Sequence, residues 1–222
     1  MEYSALVREL YTLRDEKFAE FQEKIVNPRA QKIVGVRTPV LRRLVKKYRA
    51  AWREFLTFPD EYYEGACLKL NAAALLPFEA LLPCLDECVN AIENWALCDT
   101  FKPACIAKHR EEFVPYIKKY LAGGEFSQRF ALVTLLSFYM EEKYLPLIFG
   151  SLQESDTAPY YTHMGAAWLL AEVLVKFYDR GVAFLRENRL DKRTHNKAIQ
   201  KARESFRLTK GEKAALLSLK RQ

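Results

Sequence analysis

The sequence is short of several features that would place it in a familiar class. No apolar run approaches the ~20 residues that a membrane-spanning helix needs. The opening stretch MEYSALVREL has neither the basic start nor the apolar centre of a signal peptide. No membrane association is therefore expected, and the cytoplasm is the expected compartment. There is no Gly-rich phosphate loop, no GxGxxG unit, no HExxH and no GxSxG, which argues against the common nucleotide-binding, zinc-protease and serine-hydrolase designs. The five cysteines, an odd number without a secretory signal, read as reduced thiols. No stretch alternates apolar and polar residues as a half-buried strand would, and no Asn-Gly or Asp-Gly marks a hairpin. With no linker rich in Gly, Pro or Ser, the 222 residues are expected to form a single domain spanning 1–222, long enough to bury a core.

What is present is helical periodicity. Leu6, Leu10, Leu13, Phe18 and Phe21 form an imperfect stripe that predicts one helix from Tyr3 to about Lys24, stopped by Asn27-Pro28. Gly35-Val36-Arg37-Thr38-Pro39 reads as a sharp helix entry. Gly35 allows unusual backbone angles, Thr38 can cap, and Pro39 suits the first helical position. The helix expected to follow, to about Phe55, stacks Val40, Leu41, Leu44, Val45 and Tyr48 on one side. Helices are also expected over Asp60–Leu75, Phe78–Ile92, Glu111–Leu121, Glu125–Met140, Glu142–Leu152, Tyr160–Tyr178, Gly181–Asn188, Asp191–Phe206 and Thr209–Lys220. Such segments joined by short turns imply an all-α fold of stacked antiparallel pairs, as a bundle or an α-solenoid with a concave side.

Charge is segregated. Gly35 to Arg53 holds seven Lys or Arg and no acid, and Arg186 to Gln222 holds twelve bases against four acids. With a total of +7, the rest of the chain carries about −8. The functional reading is a surface for a polyanion such as a nucleic-acid backbone; solvated basic helix faces are the plainer one.

Two clusters invite chemistry. Cys84 and Cys88, like Cys105 and His109, stand four apart, as zinc ligands from two helices would, but their apolar neighbours favour buried thiols. No metal or cofactor is expected. Neither His163 nor His195 has an obvious nucleophile partner. The second cluster is Asn94-Trp95-Ala96-Leu97-Cys98-Asp99, which on a helix sets an indole and a carboxylate on one face. Both attract positive charge. On these six residues alone the plainer reading is preferred, with Trp95 as core and Asp99 as a cap for Thr100-Phe101.

The order of these motifs carries a resemblance. Gly35 to Pro39 with its Arg-rich helix is followed by Asn94 to Asp99, then Gln128-Arg129-Phe130-Ala131, then Tyr160-Tyr161 ahead of Ala167-Trp168, and finally Thr194 to Lys201. In this order, over nearly the whole chain, they resemble the DNA alkylation repair family, HEAT-like helical-repeat DNA glycosylases that excise alkylated purines. The resemblance implies a superhelix with a concave basic groove, and a monomer acting on double-stranded DNA that contains cationic N3- or N7-alkylated purines. It implies that Trp95 and Trp168 are cleft tryptophans at the deoxyribose and that Asp99 is the essential carboxylate. Arg129 is implied as a DNA contact near the lesion and Tyr161 as a cleft aromatic. Thr38, Arg37, Arg42 and Arg43 fall at the phosphate-contacting entry. With no lysine adjoining Asp99 in sequence, a monofunctional glycosylase is expected.

The match has gaps. Met164 stands where a basic residue often precedes the second tryptophan, and Ala171 where an arginine often follows it; Phe18 and Phe21 replace a tyrosine. These losses bear on affinity and lesion range. They keep open a non-catalytic relative that binds damaged or structured DNA and, further off, a helical-repeat scaffold for protein partners.

Overall fold

The computed structural model describes residues 2–222. Among them no strand forms. One isolated parallel bridge pairs Lys32 with Tyr62, and the regular structure is otherwise helical. The helices pack in pairs, an all-α helical-repeat fold as the periodicity predicts. The chain divides into two compact units, Met1–His109 and Arg110–Gln222.

The first unit contains α1 (Tyr3–Thr12), α2 (Glu16–Val26), α3 (Thr38–Lys47), α4 (Trp52–Thr57), α5 (Tyr63–Ala73), α6 (Phe78–Leu81), α7 (Leu85–Asn90) and α8 (Trp95–Thr100). Three expected helices are broken. The single helix over Tyr3–Lys24 is two, because the Asp15 carboxylate accepts the Phe18 N–H at 3.0 Å and caps a new start. The helix running from Pro39 to Phe55 ends at Lys47, and a 3-10 turn at Arg49–Ala51 leads into α4. Pro83 lacks the N–H that a continuous helix would use, and a 3-10 turn at Leu82–Cys84 divides α6 from α7. Asn27 closes α2 in the left-handed conformation, φ 48°.

At the centre of this unit lies α5, packed against α3, α4, α7 and α8. It is buried nearly all round, through Ala66, Leu68, Leu70, Ala72 and Ala73 and through two charged residues, Glu64 and Lys69. Burying charge costs several kcal/mol unless it is paired, at roughly 2–7 kcal/mol even for a neutral polar group. Lys69 meets Asp60 at 2.6 Å and the Phe58 carbonyl at 3.2 Å. Glu64 is satisfied by backbone, as described below.

The second unit contains α9 (Arg110–Leu121), α10 (Glu125–Phe138), α11 (Leu145–Glu154), α12 (Tyr160–Lys176), α13 (Tyr178–Glu187), α14 (Lys192–Glu204) and α15 (Lys210–Ser218). Its axis is α12, with 17 residues, packed by α10, α13 and α14. The small side chains of Ala166 and Ala167 let neighbours approach, while Leu169, Leu170, Val173 and Leu174 fill the core with no exposed surface. Each such leucine stabilises by about 1.5–3 kcal/mol relative to exposure. Helix starts follow local rules: Asp191 caps α14 through the Thr194 N–H at 2.9 Å, and Thr209 with Glu212 forms a capping box on α15. Asn196 exchanges two 2.9 Å hydrogen bonds with the Arg221 backbone, which pins the C-terminal segment against α14.

Candidate active site

On α5, residues four apart share a face, and Tyr63, Cys67 and Asn71 form such a row. With Thr38, Leu41 and Arg42 of α3, and Asp99, Thr100 and Lys102 from the end of α8, they wall a cavity of about 200 Å³ within the first unit. The cavity is therefore built where three short elements meet, and its charged residues, Arg42, Asp99 and Lys102, span 60 positions of the chain.

Glu64, one residue along from that row, fixes the approach to α3. Its carboxylate accepts three successive backbone N–H groups, from Val34 at 3.0 Å, Gly35 at 2.7 Å and Val36 at 3.1 Å. Gly35 is at φ +96°, and a Cβ there would meet Ala19 Cβ at 2.6 Å and the Asp15 carbonyl at 2.7 Å. Only glycine meets both demands. The start of α3 differs from expectation: Arg37, not Thr38, is the cap position, and its side chain makes no capping hydrogen bond. Thr38 is exposed at the cavity instead.

The residue that caps α8 is Asn94, whose fully buried side chain accepts the Leu97 N–H at 3.0 Å. Asp99 is thus not a cap. It lies in the last turn of α8, half-buried, on the cavity wall. Trp95 begins the same helix, but its indole N–H donates to the Ile25 carbonyl at 3.0 Å, tying α8 to the last turn of α2.

Asp99 is the one carboxylate among the residues lining the cavity. Burial pushes both the Tyr63 hydroxyl and the Cys67 thiol well above their ordinary pKa. Neither is therefore a ready acid, base or nucleophile near neutral pH. The Thr100 hydroxyl is committed to the Ala96 carbonyl at 2.7 Å, and the Asn71 amide to the Cys67 carbonyl at 2.6 Å. The cavity wall thus carries one carboxylate together with a guanidinium, an ammonium and the Thr38 hydroxyl.

The other entry cations divide. The Arg37 guanidinium is committed to Asp15, with Nε at 2.8 Å and a second nitrogen at 2.7 Å, and lies 5.0 Å over the Phe18 ring. The Phe18 N–H, helped by that pair, holds the Asp15 carboxyl below the usual range. Arg43 is exposed on α3 and is not among the cavity residues.

The second unit brings Arg129 and Tyr161 together. Arg129 is buried, and its guanidinium donates to the Tyr161 carbonyl at 2.9 Å. One turn earlier, Glu125 accepts the Tyr161 N–H at 2.6 Å, so α10 grips the first turn of α12 from both polarities. The Tyr161 ring lies 5.0 Å from that of Phe126. Trp168, two turns along α12, lines a separate cavity of about 260 Å³ with Ala171, Glu172, Val175 and Lys201. Lys201 reaches the neighbourhood of Ala171, where the sequence lacks a cation.

Some residues were missed by sequence reasoning. Glu64 carries no local signal, since its three partners lie about 30 positions away. Lys102, three residues past Asp99, was overlooked although it lines the same cavity. Of the four residues spaced like zinc ligands, Cys84 and Cys88 are buried, Cys105 is half-buried, and the His109 ring stacks on Phe78, centroids 4.3 Å apart at 4°. Among the described residues no group of three or more His, Cys, Asp or Glu could hold a metal ion.

An all-α repeat protein with a single carboxylate set among cations in a small cavity is suited to act on a charged polymer. The family model of the DNA alkylation repair enzyme matches residues 6–206, and the chain belongs to that family. Its function is in DNA alkylation repair, with DNA as substrate. No curated protein matches the chain. No helix is long and apolar enough to cross a membrane among the described residues.

Proposed function

We propose that the protein is a DNA glycosylase, built of HEAT-like helix pairs, that hydrolyses the N-glycosidic bond of cationic N3- or N7-alkylated purines in duplex DNA. The observation that carries this is Asp99: a half-buried carboxylate on a cavity wall beside Arg42 and Thr38, with no competing acid in the lining. Breaking the C1′–N bond leaves oxocarbenium character on the sugar, and a carboxylate held close stabilises it. Water adds to C1′ and gives up a proton toward Asp99 or solvent. The alkylated base departs neutral, because its bond electrons cancel the positive charge it carried; no protonation of the base is required. Arg42 and Thr38 hold the backbone, and on the same reading the enzyme is a cytoplasmic monomer. In the second unit, Trp168 and Tyr161 offer aromatic surface to the substrate, whereas Arg129 works through the first turn of α12.

Release of 7-methylguanine or 3-methyladenine from methylated duplex DNA tests the proposal. Asp99→Asn is expected to slow release by roughly 10²–10³-fold or more while leaving DNA binding. Absence of release by the wild-type protein at any enzyme concentration would remove the glycosylase assignment.

A further inference from the structure

Lys102 lies just past α8, between Phe101 and Pro103, both buried, while its own side chain is exposed at the cavity. The two buried neighbours fix its Cα, and Pro103 confines the backbone of the preceding residue to extended conformations. The side chain therefore starts from a fixed point in the cavity wall. Arg42 reaches the same cavity from α3 and is exposed like Lys102, whereas Arg37, also exposed, is committed to Asp15. One carboxylate is thus accompanied by two solvent-facing cations supplied by different elements.

A carboxylate that must address one sugar needs the strand placed first, and the phosphates are the handles common to every sequence. An ammonium is a compact charge with three donors that accepts many phosphate orientations, whereas a guanidinium binds in a planar fork. The pairing of one of each at one cavity suits a strand that is gripped firmly at one phosphate and more loosely at the next.

Resting on the DNA-processing reading of the Asp99 cavity, we propose that Lys102 is a positioning residue that grips a backbone phosphate of the damaged strand. With Arg42 it holds the strand so that Asp99 meets the sugar.

Binding of a fluorescein-labelled duplex carrying one tetrahydrofuran abasic analogue is measured against potassium chloride concentration for wild type, Lys102→Ala and Lys102→Arg. Circular dichroism establishes that each variant is folded. Loss of the ammonium is expected to weaken binding roughly five- to tenfold at low salt and to reduce the slope of log affinity against log salt by about one. Lys102→Arg is expected to restore both. In single-turnover excision of 7-methylguanine, Lys102→Ala is expected to raise the half-saturating enzyme concentration while the rate at saturation changes little.

An unchanged salt slope in Lys102→Ala would overturn the proposal, as would absence of any wild-type affinity for DNA. A borohydride-trapped adduct with natural abasic DNA that disappears in Lys102→Arg would overturn it too, since Lys102 would then be a nucleophile. Failure of wild type to release 7-methylguanine would count against the glycosylase reading only, because the salt slope is measured without excision.

Discussion

Each unit contains a buried charge that holds backbone about 30 positions away in the chain, a carboxylate in the first and a guanidinium in the second. In the first, α5 buries the Glu64 carboxylate, which gathers the N–H groups of Val34, Gly35 and Val36 and so shapes the approach to α3. In the second, α10 buries the Arg129 guanidinium, which donates to a carbonyl in the first turn of α12. Around Glu64 the segment is irregular, and buried acceptors must replace the partners a helix would supply. Around Arg129 both elements are regular helices, and the charge clamps two that are already formed. The difference teaches where chemistry can be placed. Arg42 and Lys102 line a cavity with Asp99, whereas Arg129, between regular helices, is taken up by packing.

The comparison can be broken at several points. The largest expected effect is on catalysis: Asp99→Asn should slow release of 7-methylguanine by roughly 10²–10³-fold or more in single-turnover assays, the scale of losing a preorganised charge. A variant with wild-type rate would move the chemistry out of the first unit. Next is Glu64→Gln. Its amide places a donor against one of three buried N–H groups, and the expected loss of about 3 kcal/mol corresponds to a fall of roughly 6–12 °C in Tm. Thermal unfolding followed by circular dichroism measures this, and an unchanged Tm would mean that the cradle does not hold the segment.

Smaller effects sharpen the contrast. Arg129→Met should cost about 2 kcal/mol in urea unfolding, as expected for a charged group bonded to a buried carbonyl. If it lowers DNA affinity with no loss of stability, Arg129 belongs with the cavity residues after all. Trp95→Phe keeps an aromatic ring but loses the pyrrole half of the indole and its bond to Ile25, and should cost about 1 kcal/mol or more by the same measurement. The smallest effect is of pH. Burial lowers the pKa of His163, helped by nearby Arg193, and burial likewise lowers that of His195. The unfolded chain then takes up protons near pH 6.5 where the folded one does not. The stability they contribute is full above about pH 6.5 and is lost as pH falls toward the lowered folded values. Tm should drop between about pH 7.5 and about pH 5.5, and the drop should shrink in His163→Gln.

Much of this was legible in residues close together in the chain. The periodicity predicts helices, Gly35 announces its positive φ, and Asp191 and Thr209 mark helix starts that the structure contains, because capping and turn chemistry act over three or four residues. The misread boundaries share one cause. At Asp15, Arg49–Ala51 and Pro83 the apolar pattern continues while the backbone breaks, and a continuous stripe outweighed a local stop.

The candidate site divides in the same way. Asp99 and Arg42 could be singled out from motif order, whereas their common cavity, the role of Lys102 in its wall and the commitment of Arg37 to Asp15 depend on α3, α5 and α8 meeting. By itself, then, the sequence determined the all-α class, most helix starts and the motif order of the DNA alkylation repair enzyme family. Tertiary structure decided which charges are spent on packing and which face a cavity. A side chain's hydrogen-bonding partner is chosen by proximity in space, and Glu64 and Arg129 find theirs about 30 residues away.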